Sequence, residues 1–378
     1  MKAVLLEDVK KLAVRNIPDP VPKAREVLIR VKAVGVCGTD IHIYQGHGNW
    51  NFDTRGRAIP LSENPQILGH EFSGEVLEAG NGVKDPAPGD RVLCDQGENC
   101  MSQGRSPLCE YCASGDSHQC LYYGEHGVTG LAGALAEYIC MPAVNCLKIP
   151  RGMSFEQGAL VEPLACIIHA MDLVERACAR FTFSGRHPIR TILIAGAGPA
   201  GLLFLQYLRN VKRFEGRVLV TDLRETCLNL VEKFGGSRLA AVRGEFAAAV
   251  INSTGGDRAH CLIDACGSAD VLAQAPGLLH KQGTLMIYGA GHKDKDIGIL
   301  GPVFFLEPTL LTSVGASGGF DPDGRPATYR RAVELISSGT IQVLPLVTHR
   351  YASLETIHRA FDTDFRRDDY IKGMLNLN

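Results

Sequence analysis

The chain has 378 residues, more than one ordinary core accommodates, which points to two domains. Hydrophobic residues make up 45% and charged residues 21%, a balance that excludes a mostly disordered chain. With 39 Lys and Arg against 41 Asp and Glu, the net charge of −2 offers no broad positive field for nucleic acid or an anionic membrane.

Residues 1–10 (MKAVLLEDVK) hold an apolar run of four, too short for a secretion signal. Up to about residue 160 the pattern is short strands with Gly and Pro punctuation. Residues 26–34, 71–78 and 91–93 are the clearest strands, and the whole reads as a partly open β domain. A long apolar helix is expected over 156–176, capped by Ser154 ahead of Gln157. Six short β-branched runs follow, at 191–195, 217–221, 239–242, 261–265, 284–288 and 311–315. Helical segments such as 200–210 and 224–234 lie between them, so this part reads as a doubly wound parallel α/β sheet. A further helix is expected over 328–338. The longest apolar stretch, 191–208, is broken by Gly196, Gly198, Pro199 and Gly201, which fits a strand–turn–helix better than a membrane span.

Gly196-Ala197-Gly198-Pro199-Ala200-Gly201 fits G-x-G-x-x-G. It follows the strand TILIA and opens an apolar helix, the context a dinucleotide site requires. The first glycine permits the turn, the second admits the pyrophosphate, and the third lets helix and strand pack closely. Asp222 ends the next strand, where a carboxylate accepts the ribose hydroxyls of NAD and repels a 2′-phosphate. Arg224 pulls the other way, because a nearby Arg can turn towards that phosphate.

The thirteen cysteines are an odd number without a visible secretion signal. That reads as metal-bound and free thiols in a reducing cytoplasm. Cys109, Cys112 and Cys120 lie close in sequence, and Cys100 can complete a closed four-thiolate zinc site. Cys94 is the rival fourth ligand, but it continues the strand RVLC. A second, dispersed set joins Cys37, His70 and Glu162. Thiolate, imidazole and carboxylate would leave one zinc position open for water or substrate, although each residue alone is unremarkable.

Their flanking sequences carry more. VGVCGTDIH (35–42 at its core), LGHEFSGEV (68–76), GDRV (89–92), the cysteine lobe, ALVEPLA (159–165) and IAGAGPAGL (194–202) occur in one order along the chain. Together they resemble the zinc-dependent medium-chain alcohol dehydrogenases, in their sorbitol and threonine dehydrogenase branches. AEYICMPAVNCLKIP (136–150) is similar to the threonine branch. The resemblance implies a GroES-like, partly open β-barrel catalytic domain over 1–160 and 319–378, with a structural-zinc lobe at about 94–120. A six-stranded Rossmann domain would occupy 161–318. It implies catalytic zinc on Cys37, His70 and Glu162, Glu71 as an outer or transient ligand, and a proton relay through Thr39 and His42. Two zinc ions and one NAD per chain are expected, in a cytoplasmic homodimer or homotetramer with no nucleic-acid or membrane partner.

Three features depart from the family pattern. The first two lobe cysteines are separated by eight intervening residues in place of two. An added loop, 44–64, carries Gln45, His47, Asn49, Asn51, Asp53, Arg55, Arg57 and the chain's one tryptophan, Trp50. Residues 315–324 lack the substrate-facing Arg of the sorbitol branch. The expected reaction is oxidation of a secondary alcohol of a polyol, sugar or cyclitol to a ketone, with L-threonine as the alternative substrate. A zinc-free reductase and a non-catalytic NAD sensor are the competing readings.

Overall fold

A computed structural model describes residues 1–240, 246–289 and 306–377. The chain forms two compact units, Met1–Ala165 with Gly315–Asn378, and Cys166–Val314.

The first unit is built on a seven-stranded sheet. Its strands run in the order Cys146–Lys148, Arg91–Cys94, Glu71–Ala79, Glu26–Val36, Lys372–Asn376 and Val347–Tyr351, with Tyr138–Pro142 also on Glu26–Val36. A three-stranded sheet of Lys11–Asn16, Lys2–Asp8 and Gln66–Ile67 accompanies it. Alternate residues of Glu26–Val36 point inward, so Val27, Ile29, Val31 and Val34 are buried in one core with Phe72, Val92 and Met141. Register positions the site: Gly35 pairs with Glu71, and Gly373 pairs with Val36. Lys372 therefore enters the sheet at the end where Cys37 leaves it.

In the second unit six parallel strands run in the order Ser237–Ala240, Arg217–Asp222, Thr191–Ala195, Ala259–Asp264, Leu279–Ile287 and Thr309–Thr312. The strand sequence starts in the middle, works out to one edge and returns to build the other. That reversal makes a nucleotide crevice at the carboxyl ends of the strands. Leu193, Leu219, Leu262 and Leu285 form the core against Val250, Ala275 and Leu278 of the covering helices.

Several expected elements differ in detail. Ser154 does cap a helix, accepting from Gln157 N at 3.1 Å in a reciprocal capping box. That helix, however, stops as Phe155–Ala159 and restarts as Val161–Arg176. Pro163 has no N–H for the carbonyl of Ala159 and its ring crowds that carbonyl, so the chain breaks one turn upstream. The third and last sheet strands begin two residues earlier than hydropathy indicates, because pairing Ser237 with Leu219 and Thr309 with Thr284 sets their register. Of the expected strand 239–242, residues 241 and 242 lie outside the described residues. The segment Phe155–Arg176 is long and apolar enough to cross a membrane, but 78% of its window is buried in the protein, as in a core helix.

Candidate active site and metal centres

The strand Glu26–Val36 ends at Cys37, which caps the short helix Gly38–Tyr44. Asp40 on that helix is 1% exposed and accepts from Cys37 N at 2.9 Å and Gly69 N at 3.1 Å. Its Oδ1 also lies 3.4 Å from His70 Nδ1. Asp40 thus fixes the thiol-bearing turn and orients the histidine, the arrangement that supports a metal-binding imidazole. Burial alone would lower the pKa of His70, but Asp40 and the Cys37 sulfur outweigh it and hold the pKa well above the ordinary value.

Cys37, His70 and Glu71 each offer one donor atom, and these atoms lie within 4.8 Å of one another. Glu71 is 1% exposed, and Lys372, 3% exposed, donates to its Oε1 at 2.5 Å. The Lys372 ammonium also lies 2.5 Å from Oε2, so it faces both oxygens of the buried carboxylate. A buried carboxylate beside a thiol and an imidazole is a donor set of the kind that binds a divalent cation. Gly35 makes room for it: a Cβ there would lie 2.2 Å from Glu71 Oε2.

The resemblance implies Glu162 as the third ligand and Glu71 as an outer or transient one; Glu71 is the carboxylate whose donor atom lies within 4.8 Å of those of Cys37 and His70. Glu162, 6% exposed on the first turn of Val161–Arg176, accepts from Gln96 Nε2 at 2.8 Å. Thr39 and His42 are both half-buried, three residues apart on one face of Gly38–Tyr44. His42 and His47 have ring centroids 5.9 Å apart.

Cys100, Cys109, Cys112 and Cys120 form the second donor group. Zinc bound tetrahedrally at ~2.3 Å separates its sulfurs by about 3.8 Å. Here Sγ of Cys120 is 3.6 Å from Cys100 and 3.8 Å from Cys109, so the lobe fits the ion as it stands. The eight-residue gap before Cys109 does not displace Cys100. Cys94 lies elsewhere, buried in its strand with its sulfur 3.6 Å from that of Cys146. Cys109 caps the helix Glu110–Ser114, and the N–H of Cys112 on its sulfur brings its pKa down to about 6.

In the added loop, Asn49 donates to Ile59 O at 2.7 Å, and Asp53 holds Arg57 at 2.9 Å and the N–H of Arg55 at 2.8 Å. Trp50 packs against the first unit's core. Much of the loop's polar chemistry is therefore spent within it. In the segment without an Arg, Ala316 N and Ser317 Oγ bond the buried His118 of the lobe.

The glycine turn of the second unit has its expected form. Gly196 has φ +104, a Cβ on Gly201 would lie 1.8 Å from Gly196 O, and a Cβ on Gly198 would meet nothing within 4 Å. That open space at the N-terminus of Pro199–Gln206, with Pro199 and Ala200 leading the helix, is where a pyrophosphate fits. Asp222 Oδ2 accepts from Ala197 N at 2.9 Å, and Arg224 Nε sits 3.1 Å from Oδ1.

Residues 23–151 match the family described as alcohol dehydrogenase GroES-like domain, and residues 199–338 match zinc-binding dehydrogenase. A zinc-type alcohol dehydrogenase-like protein of Escherichia coli (strain K12) is 31% identical across 95% of this chain and 94% of its own length. The chain belongs to the zinc-dependent alcohol dehydrogenase family. A sorbitol dehydrogenase of Bacillus subtilis (strain 168) is 30% identical over 100% of this chain and 98% of its own. A putative zinc-binding dehydrogenase of Sinorhizobium meliloti 1021, solved with NADP, superposes with a TM-score of 0.78 at 28% identity, covering 99% and 98% of the two chains. This dehydrogenase accordingly has a GroES-like catalytic unit and a Rossmann unit, and zinc and a nicotinamide dinucleotide as cofactors.

Sequence reasoning missed Asp40, Gln96 and Lys372. Asp40 sits inside the CGTD motif and was legible as a second carboxylate there. Lys372 is 301 residues from Glu71 and carries no local signal.

Proposed function

We propose that this dehydrogenase oxidises a secondary alcohol of a polyol, sugar or cyclitol to a ketone, with NAD as acceptor. The carrying observation is the donor set Cys37, His70 and Glu71, in which a carboxylate completes the three protein ligands. The sorbitol dehydrogenase relative supports the same class. Zinc and NAD, when bound, supply Lewis acidity and the hydride acceptor. The chain's own residues do the rest. Asp40 and Lys372 hold His70 and Glu71 in place. Thr39 takes the hydroxyl proton, and His42 passes it to solvent, with a side chain whose ordinary pKa of ~6.5 suits exchange near neutrality. Cys100, Cys109, Cys112 and Cys120 pin the lobe through the second zinc. Asp222 selects NAD by accepting ribose hydroxyls and repelling a 2′-phosphate.

The edge strand Thr309–Thr312 leaves Leu310 47% and the nearby Val314 65% exposed, which supports a homodimer or homotetramer joined along that edge. The apolar run 300–306 (LGPVFFL) was expected to flank that edge, and its residues 300–305 lie outside the described residues. None of the thirteen cysteines is in a disulfide, which supports a reducing, cytoplasmic setting.

The test is NADH formation by zinc-loaded enzyme across polyols, aldoses, inositols, L-threonine and short alcohols. A polyol, sugar or cyclitol should give the highest kcat/KM. Ethanol as best substrate would refute the reading, and L-threonine alone would transfer it to the threonine branch.

A further inference from the structure

The strand Thr309–Thr312 is parallel to its neighbour, so the chain leaves the six-stranded sheet at the carboxyl ends of the strands. Gly315 then opens a stretch, 315–319, that belongs to the first unit. The cysteine lobe grips that stretch. His118 Nδ1 accepts from Ala316 N at 2.9 Å, and His118 N donates to Ser317 Oγ at 3.0 Å. Gly115 O accepts from Gly318 N at 3.1 Å and from Gly319 N at 2.8 Å. Gly115 and His118 both lie between Cys112 and Cys120, two of the four thiols of the lobe. Four thiolates already close a structural site, so His118 is not needed as a ligand.

His118 is 5% exposed. Because Nδ1 accepts, the ring proton sits on Nε2, which lies 3.0 Å from Asp95 Oδ1. The Tyr123 hydroxyl is 3.3 Å from Nδ1. Asp95 follows the strand Arg91–Cys94 and is fixed in turn. Its N donates to Asn145 O at 2.9 Å, its O accepts from Asn145 Nδ2 at 3.0 Å, and its Oδ1 accepts from Gly97 N at 2.8 Å. An imidazole held on both sides has one orientation. Gly315 lets the chain close on it: φ is +64, and a Cβ there would lie 2.4 Å from His118 Nδ1.

In the reading above, the pyrophosphate sits at the glycine turn and the adenosine ribose at Asp222, on the neighbouring strand. The nicotinamide half then runs the other way, over the carboxyl ends of Ala259–Asp264, Leu279–Ile287 and Thr309–Thr312. We propose that His118 is a positioning residue for the cofactor. Through Ala316 it fixes the chain that leaves the last of these strands. The proposal rests on the dinucleotide reading.

The test is a fluorescence titration of zinc-loaded protein with NADH, without alcohol. His118→Gln sets an amide near the Nε2 position, keeping the donor to Asp95 and losing the acceptor for Ala316 N. His118→Asn sets an amide oxygen near Nδ1, keeping that acceptor and losing the donor. The Kd for NADH should rise by about 3- to 10-fold in His118→Gln, the scale of one neutral hydrogen bond, and stay within about twofold of the parent in His118→Asn. A purely structural histidine would weaken both variants alike. Should His118→Gln not fold, Ser317→Ala, which removes only the acceptor for His118 N, should raise the Kd by about 2-fold or more. Unchanged affinity in the folded variant, equal losses in the Gln and Asn variants, or a loss found only where zinc is lost too would overturn the proposal. A parent that binds neither NADH nor NADPH would refute the dinucleotide reading itself, and the role of His118 with it.

Discussion

Replacing Lys372 with Met asks how much the buried pair with Glu71 matters. The two side chains are 3% and 1% exposed, so the substitution leaves a carboxylate inside the protein without its cation. Breaking a buried pair from one side costs ~3–5 kcal/mol, far more than an exposed pair contributes. In a unit of this size each kcal/mol moves the melting point by about 2–4 °C, so Lys372→Met should lower the catalytic unit's transition by roughly 6–20 °C. Burial pulls the pKa of Lys372 down, but Glu71 and Cys37 outweigh it and the pKa is raised. The pair's contribution is therefore complete below the ordinary lysine pKa and lost only as pH rises through the raised one. Neutral pH is the right condition for the measurement. Calorimetry on zinc-free protein reads the full effect, and in zinc-loaded protein the loss should shrink because a second cation then faces Glu71. Adding Glu71→Gln to Lys372→Met neutralises the stranded charge and should recover most of the loss. A shift below about 2 °C in zinc-free Lys372→Met would refute the reasoning, as would a double variant no more stable than the single one.

Asp222→Ser should erode the preference for NAD over NADP. The carboxylate's charge-assisted bond is worth ~1.5–3 kcal/mol, so the ratio of kcat/KM values should fall by ~10- to 150-fold. An unmutated enzyme more efficient with NADP would remove the basis for the assignment. In zinc-free protein Cys109 should alkylate with iodoacetamide ahead of the other lobe cysteines. Its rate should rise with pH around a midpoint of about 6, and zinc should abolish the reaction. A midpoint near the ordinary thiol value would contradict the cap geometry.

What was legible in the sequence was local. The glycine turn declares itself because strand, turn and helix are contiguous and each glycine has a steric reason that one short segment contains. The lobe is legible because four thiols within a short polar stretch can close around one ion. The choice between Glu71 and Glu162 was not, since both stand beside metal-type motifs. Their hydrogen-bond partners Lys372 and Gln96 lie 301 and 66 residues away and carry no local signal. The break at Leu160 was available in principle from Pro163, but the apolar periodicity running through it hid the missing N–H. Strand ends shifted for a related reason: hydropathy marks what is buried, whereas register is set by neighbouring strands.

The central claim is that two separate zinc centres serve different purposes, one for structure and one for turnover. Zinc content and NADH formation measured together on the parent and His70→Ala test it most directly. The parent should carry two zinc ions per chain and oxidise a polyol. Folded His70→Ala should retain the lobe's zinc, lose the other and lose activity. A folded parent without zinc, or His70→Ala that keeps its turnover, would contradict the account.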